Sequence, residues 1–388
     1  MVRVRLSEIA KIIAGQPAPK DEYLGLNGYP FIRAGHIEGL INGLTESSLL
    51  KVEANNAEKL KLRLIPSGTI LFAKSGMSAM KNRVYKTCSP SFIVSHLAGV
   101  LPSHKYYSDY LAYYLNWYGT SKLILDDSYP SIRLSDIEKL EIPLPPLETQ
   151  KKIATILDKA DELRQNDRKI LVKYDQLVQS VFLEMFGDPV RNEKGWMKKE
   201  LLELCSKITD GTHKTPKYVS DGIKFLSAKN IKSRYIDDNE IKFISNNEHY
   251  DLIKRSKPEF GDILFTKSGS IGMAALNELP YEFSIFESLA LIKYHRGLIE
   301  GKFLWAVLNS PPVVNHYLSK QKGVGVKHFH LTDINRIQII QPPIELQRRF
   351  SLVMRTIEAQ IQLTGQSLKK SDELFQSLLQ RAFKGELI

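Results

Sequence analysis

A chain of 388 residues, 25% of them charged and 43% hydrophobic, has the composition of an ordinary globular protein and is long for a single core. Its two cysteines, Cys88 and Cys205, lie far apart and in no metal-ligand spacing, which argues against a disulfide framework and fits a reducing compartment. The net charge of +11 is unevenly spread. Residues 1–147 carry 17 basic and 13 acidic side chains and residues 188–343 carry 23 and 18, against 7 and 7 in 148–187 and 7 and 5 in 344–388. An excess of Lys and Arg on two globular segments favours a nucleic-acid partner for them.

The N-terminus opens MVRVRLSEIAKII, with no long apolar run and no small-residue cleavage site. Nowhere does the chain approach the roughly 18 apolar residues of a membrane span, so a cytoplasmic protein without a membrane partner is expected. Short β-branched and aromatic runs follow: GTILFA and SFIVSH in the first half, GDILFT and SIFESLALIKY in the second. Bounded by Gly, Pro and Ser, they predict strands. TSKLILDD and GKFLWAVLNS predict short helices. The IPLPPL and IIQPPI segments are excluded from helix interiors by their prolines and read as extended connectors closing each globular segment.

After each connector a long helix is predicted. Residues 148–186 contain neither Pro nor Gly, and Ile156, Ala160, Leu163, Asp167, Ile170, Tyr174, Leu177 and Val181 recur at steps of four and three. The second stretch offers Phe350, Met354, Ile357, Ile361, Thr364, Leu368, Ser371, Phe375 and Leu378. Both are imperfect heptad seams. A helix of about 40 residues spans roughly 60 Å, on the scale of one to two turns of duplex DNA.

The strongest signal is internal self-similarity. Leu134, Asp136, Ile137, Pro145, Pro146, Glu148 and Gln150 recur as Leu331, Asp333, Ile334, Pro342, Pro343, Glu345 and Gln347, at a constant offset of 197 that holds to Phe186 and Phe383. Within the helices, Lys173, Asp175, Leu177, Gln179 and Ser180 match Lys370, Asp372, Leu374, Gln376 and Ser377. Upstream, ILFAKSG (70–76) matches ILFTKSG (263–269). The expected fold class is α+β: two similar mixed α/β domains held apart by a long antiparallel two-helix coiled coil. The segments are 1–147 (first domain), 148–187 (first spacer helix), 188–343 (second domain) and 344–388 (second spacer helix).

These residues resemble the specificity subunit of Type I restriction–modification systems over essentially the whole length. The carriers are the L-x-D-I…PP-x-E-x-Q blocks at 134–150 and 331–347, the helices after them, and the G-[DT]-I-L-F-x-K-S-G segments at 68–76 and 261–269. One departure is that Ile340 stands where the first copy has Pro143. The resemblance implies two target-recognition domains, each reading half of a gapped, asymmetric site in double-stranded DNA, with the helices setting the gap. It further implies docking of two methyltransferase subunits and of restriction/translocase subunits. S-adenosylmethionine, ATP and Mg would then belong to those partners, with no cofactor in this chain.

Catalytic motifs are lacking. Ser310-Pro311-Pro312-Val313 is the nearest approach to a methyltransferase motif but has no aromatic to stack on a flipped base. Gly323-Val324-Gly325-Val326-Lys327 lacks the spacing and the Ser/Thr of a phosphate loop. Asp262 with Lys267 could suggest a nuclease, yet the first copy has Thr69 and Lys74 there. His328 and His330 have no evident third ligand for zinc. A non-catalytic recognition protein is expected; a coiled-coil scaffold with incidental charge, or a self-contained methyltransferase or nuclease, are the competing classes.

Bases are read by Arg, Lys, Asn, Gln and Ser/Thr, while Lys and Arg on phosphates set register. The candidate DNA contacts are Lys74, Ser75, Lys81, Asn82 and Arg83 in the first domain, and Lys214, Lys217, Lys229, Asn230, Lys232, Lys267 and Ser268 in the second. Lys74/Lys267 and Ser75/Ser268 occur in both copies and suit phosphate or frame roles better than base reading. Arg133 and His330, which close the domains beside the repeated block, suit structural roles.

Overall fold

The shared Ile-Leu-Phe run becomes the inner strand of a four-stranded antiparallel sheet in each half of the chain. In the first half the strand order is Ile12–Ala14, Leu97–Val100, Ile70–Ala73, Val84–Lys86; in the second it is Cys205–Asp210, Leu289–Tyr294, Ile263–Thr266, Ala274–Leu276. The computed structural model describes residues 2–232, 235–269, 271–320 and 329–388. Its backbone divides into two compact units, Met1–Arg168 with Gln366–Ile388, and Lys169–Gly365.

In the first unit the inner strand is buried on both faces, which explains its unbroken apolar sequence. Ile70 and Phe72 face one core, shared with Ala98, Val100 and the helix Ser108–Tyr118. Leu71 and Ala73 face another, built on Phe31, Ile32, Val52 and Ile93. That second core belongs to a three-stranded sheet, Lys51–Val52, Tyr29–Ile32, Phe92–Ile93, whose last pair is parallel. A third pairing, Arg3–Arg5 with Glu141–Pro143, returns the connector to the start of the chain.

The second unit repeats this plan. Ile263 and Phe265 face one core with Ala290, Ile292 and the helix Gly301–Asn309. Leu264 faces the other with Leu226, Phe283 and Ile285. The parallel pair recurs as Ile223–Leu226 with Phe283–Ile285, and the connector pair as Met197–Glu200 with Gln338–Gln341. The additions are the edge strand Tyr218–Val219 and the antiparallel strand pair Ile231–Lys232 with Tyr235–Ile236. The fold class is therefore α+β with a duplicated frame.

The long helices run Leu147–Phe186 (40 residues) and Ile344–Lys384 (41 residues). Their halves pack antiparallel within each unit. In the first, Arg164 and Arg168 pair with Asp372 at 3.6 and 2.9 Å, and Asp167 accepts from Ser367 and Ser371, both at 3.1 Å. In the second, Phe182 and Phe186 pack edge-on against Phe350, with ring centroids 5.8 and 5.5 Å apart.

The predicted seam of the second helix holds, each of its positions being buried or half-buried. That of the first holds at five of its eight positions. Ile156, Ala160, Asp167, Tyr174 and Val181 are buried or half-buried, but Leu163, Ile170 and Leu177 are exposed, and their neighbours Arg164, Leu171 and Val178 turn inward instead. The cause is Arg164, whose guanidinium carbon lies 3.7 Å from the centre of the Phe375 ring. A charged residue at the seam hides the true register from a hydrophobicity pattern.

TSKLILDD forms only the short 3-10 turn Thr120–Leu123, while GKFLWAVLNS is the helix Gly301–Asn309. Ser310 ends the helix Gly301–Asn309, and Pro311 and Pro312 open the next helix, Pro311–Lys320, whose first turn needs no proline N–H. The Gly323–Lys327 segment and His328 lie outside the described residues.

Candidate nucleic-acid interface

The repeated block has a mechanical role that its sequence does not announce. Gln150 and Gln347 are 1% and 0% exposed. The Gln150 side-chain carbonyl accepts from the Tyr107 N–H at 2.9 Å, and its amide donates to the Pro145 carbonyl at 2.8 Å. Gln347 makes the same pair with the Glu300 N–H (2.9 Å) and the Pro342 carbonyl (2.8 Å). Each glutamine thus ties the first turn of a long helix to the start of a domain helix. Arg133 and His330 stand at the N-caps of the helices Leu134–Glu138 and Leu331–Asn335, and the Asp333 carboxylate accepts from the His330 N–H at 3.2 Å.

The Lys-Ser-Gly segments sit at one corner of each unit, held by matching backbone bonds. The Lys74 N–H donates to the His96 carbonyl and its carbonyl accepts from Ile132; Lys267 does the same with Ser288 and Phe329. Beside them, Gly15 and Gly211 pass so close to the carbonyls of Val94 and Ile285 that a Cβ would collide there.

Around this equivalent backbone the side chains differ. Lys74 is partly exposed and its ammonium makes no bond among the described residues; Ser75 Oγ lies 2.7 Å from His96 Nδ1. Lys81 is exposed at the end of the short 3-10 helix Met77–Lys81. Asn82 has a left-handed backbone (φ 49°) and its side-chain carbonyl accepts from the Ser121 N–H at 2.7 Å, so it braces a turn. Arg83 is spent in a two-pronged ion pair with Glu38, one bond of which is 2.6 Å long.

In the second unit Lys214, Lys217, Lys229 and Lys232 are exposed and form no ion pair among the described residues, and Ser268 is half-buried. Asn230 is buried: its side-chain carbonyl accepts from the Ser227 N–H at 2.9 Å and its amide donates to the Asp237 and Glu240 carbonyls, both at 3.2 Å. Lys267 is 3% exposed with its ammonium 2.5 Å from Asp210. In this structure the Asn82 side-chain carbonyl, the Arg83 guanidinium, the Asn230 amide and the Lys267 ammonium are engaged by other groups of the chain. Asp262 and Lys267 do not form a pair: Asp262 faces Lys293 at 2.6 Å, and burial pushes its carboxyl above the ordinary range against the pull of that ammonium.

Sequence reasoning missed the residues gathered around Asp210. This carboxylate is 2% exposed and faces Lys267, Arg255 (2.5 Å) and His213 (3.2 Å), while His213 also meets Glu287 at 2.9 Å. Arg255 and His213 are about half exposed. The first unit has no counterpart, since the residue preceding the close-packed glycine there is Ala14. No sequence signal joins positions 210, 213, 255, 267 and 287; only the folded sheet does. Among the described residues no helix is long and apolar enough to cross a membrane.

The two units thus share a duplicated frame and carry unlike polar corners. Known proteins show likenesses to this chain. Residues 1–173 match the family model "Type I restriction modification DNA specificity domain". The MjaIX specificity subunit of Methanocaldococcus jannaschii is 25% identical over 367 residues, covering 86% of this chain and 82% of that protein. The EcoKI specificity subunit of Escherichia coli K12 is 24% identical over 407 residues, covering 95% and 83%. In fold, the chain is similar to the S subunit of a Type I system from M. genitalium, with TM-score 0.59 and 15% identity over 98% of this chain and 96% of that one. A second solved chain, from work on complex assembly and conformational transition of the type I R-M system, gives 0.58 and 18% over 100% and 98%. The chain is thus similar to Type I restriction–modification specificity subunits over most of its length, and its first 173 residues match their family model.

Proposed function

We propose that this chain confers DNA sequence specificity on a Type I restriction–modification complex in the cytoplasm and performs no chemistry itself. Segments 1–147 and 188–343 act as target-recognition domains, each reading one half of an interrupted, asymmetric duplex site. Segments 148–187 and 344–388 act as the spacer that sets the gap. Two methyltransferase subunits dock on the chain and restriction/translocase subunits join them; S-adenosylmethionine, ATP and Mg belong to those partners. The observation that carries this reading is the pairing of a shared frame, down to the Gln150 and Gln347 bonds, with dissimilar corners around Lys74 and Lys267. A single-headed binder has no use for two such units, whereas a bipartite site needs one frame and two chemistries.

The test is single-molecule methylation mapping of host DNA with and without this gene. A gapped, two-part motif is expected to vanish with the gene. Exchanging residues 1–147 for those of another specificity subunit should change one half of the motif alone, and inserting a heptad after Gln150 should change the gap. Methylation that is indifferent to the gene would leave a coiled-coil scaffold as the better account.

A further inference from the structure

The Asp210 cluster is more elaborate than neutralising one buried lysine requires. Lys267, buried 2.5 Å away, already balances the Asp210 charge. The other carboxylate oxygen nevertheless holds one Nη of Arg255 at 2.5 Å, although the Arg255 side chain is 55% exposed and gains little shelter. Lys207 Nζ donates to the Arg255 carbonyl at 2.5 Å, fixing its backbone as well. The rest of the guanidinium makes no bond among the described residues. An arginine braced on one edge and open on the other has lost much of its rotamer freedom before any ligand arrives. His213, 54% exposed between Asp210 and Glu287, and the exposed Lys214 stand beside it.

We infer that Arg255 is a specificity-determining residue of the second unit, reading a guanine in its half-site, and that Asp210 is its positioning residue. The inference rests on the DNA-recognition reading above and deepens it. The ligand class follows from the donor set: paired N–H groups of a guanidinium match O6 and N7 on the major-groove edge of guanine, which no other base offers together. The first unit, with Ala14 in place of Asp210, has no such brace and reads its half-site by other groups. Two heads with different chemistries are what an asymmetric target demands.

The test is methylation mapping in the host with the full chain carrying Arg255→Ala. Arg255 is half exposed and the variant is expected to fold; the unchanged first half of the motif serves as the internal control for that. One guanine of the second half should relax to any base, raising the number of motif-matching sites about fourfold while methylation at each falls. Arg255→Lys should relax the same position, since a point charge cannot bridge both acceptors. Asp210→Asn should do so too, more weakly. An unchanged motif with uniformly lower methylation would mean that Arg255 touches phosphate or is only structural, and overturns the inference. Absence of any gapped motif with the wild-type gene would instead overturn the broader reading.

Discussion

The corners around Lys74 and Lys267 have the same backbone and different electrostatics. In both units the lysine follows the inner strand, donates its N–H to the neighbouring strand and receives a bond from the residue that leads into the repeated block. In the first unit its ammonium forms no ion pair among the described residues and stays partly in water. In the second, Asp210 draws the ammonium into the interior, and the partly exposed Arg255 becomes the cation of that corner, with the His213 ring against the same carboxylate. Backbone equivalence therefore does not imply equivalent electrostatics: one difference, Ala14 in one copy against Asp210 in the other, changes which cation of the corner reaches water.

The largest expected effect breaks this comparison at the level of stability. Asp210→Ala strands a buried ammonium and should cost the second unit about 3–5 kcal/mol, whereas Lys74→Met should stay within about 0.5 kcal/mol. Chemical denaturation of the full chain would show it, with Trp117 reporting on the first unit and Trp196 and Trp305 on the second. Equal costs would mean that the two corners do not differ as described.

Next in size is a change that should act alike in both units. Gln150→Leu and Gln347→Leu each leave a backbone N–H and a proline carbonyl unpaired at a buried helix start, costing on the order of 2–4 kcal/mol in the unit concerned. A marked inequality between the two would show that the frame is less symmetric than its hydrogen bonds.

A subtler contrast concerns DNA. Lys74→Gln should lower the slope of log K against log salt by about 1, and Lys267→Gln should leave it unchanged, because only an ammonium that meets phosphate releases a counterion. A salt titration of duplex binding by the assembled complex decides between them. The smallest effect is chemical. Burial pushes the Cys205 thiol up to about 12, while Cys88 is exposed. A thiol-reactive maleimide at neutral pH should therefore label Cys88 alone, and Cys205 only after the second unit unfolds.

Much of this was legible in the amino-acid order. The strands around Ile70 and Ile263, the extended connectors and both long helices follow from local pattern, because an inner strand buried on both faces and a helix seam each impose a spacing. The register of the first helix was not fully legible, because Arg164 occupies a seam position that hydrophobicity assigns to Leu163. Among the candidate contacts, Lys81, Lys214, Lys217, Lys229 and Lys232 are exposed, as their charge alone leads one to expect. The bonding of Asn82, Arg83 and Asn230 was not legible, since whether a polar side chain faces water or braces a turn depends on partners 39, 45 and about 7 residues away.

By itself the sequence determined the duplication, the α+β class and the resemblance to a family, because repeats, strand runs and heptads are local and cumulative patterns. Only the tertiary structure decided the chemistry of each corner. Residues 210, 213, 255, 267 and 287 are scattered along the chain, and their shared field exists only once the strands pair and draw Asp210 out of water.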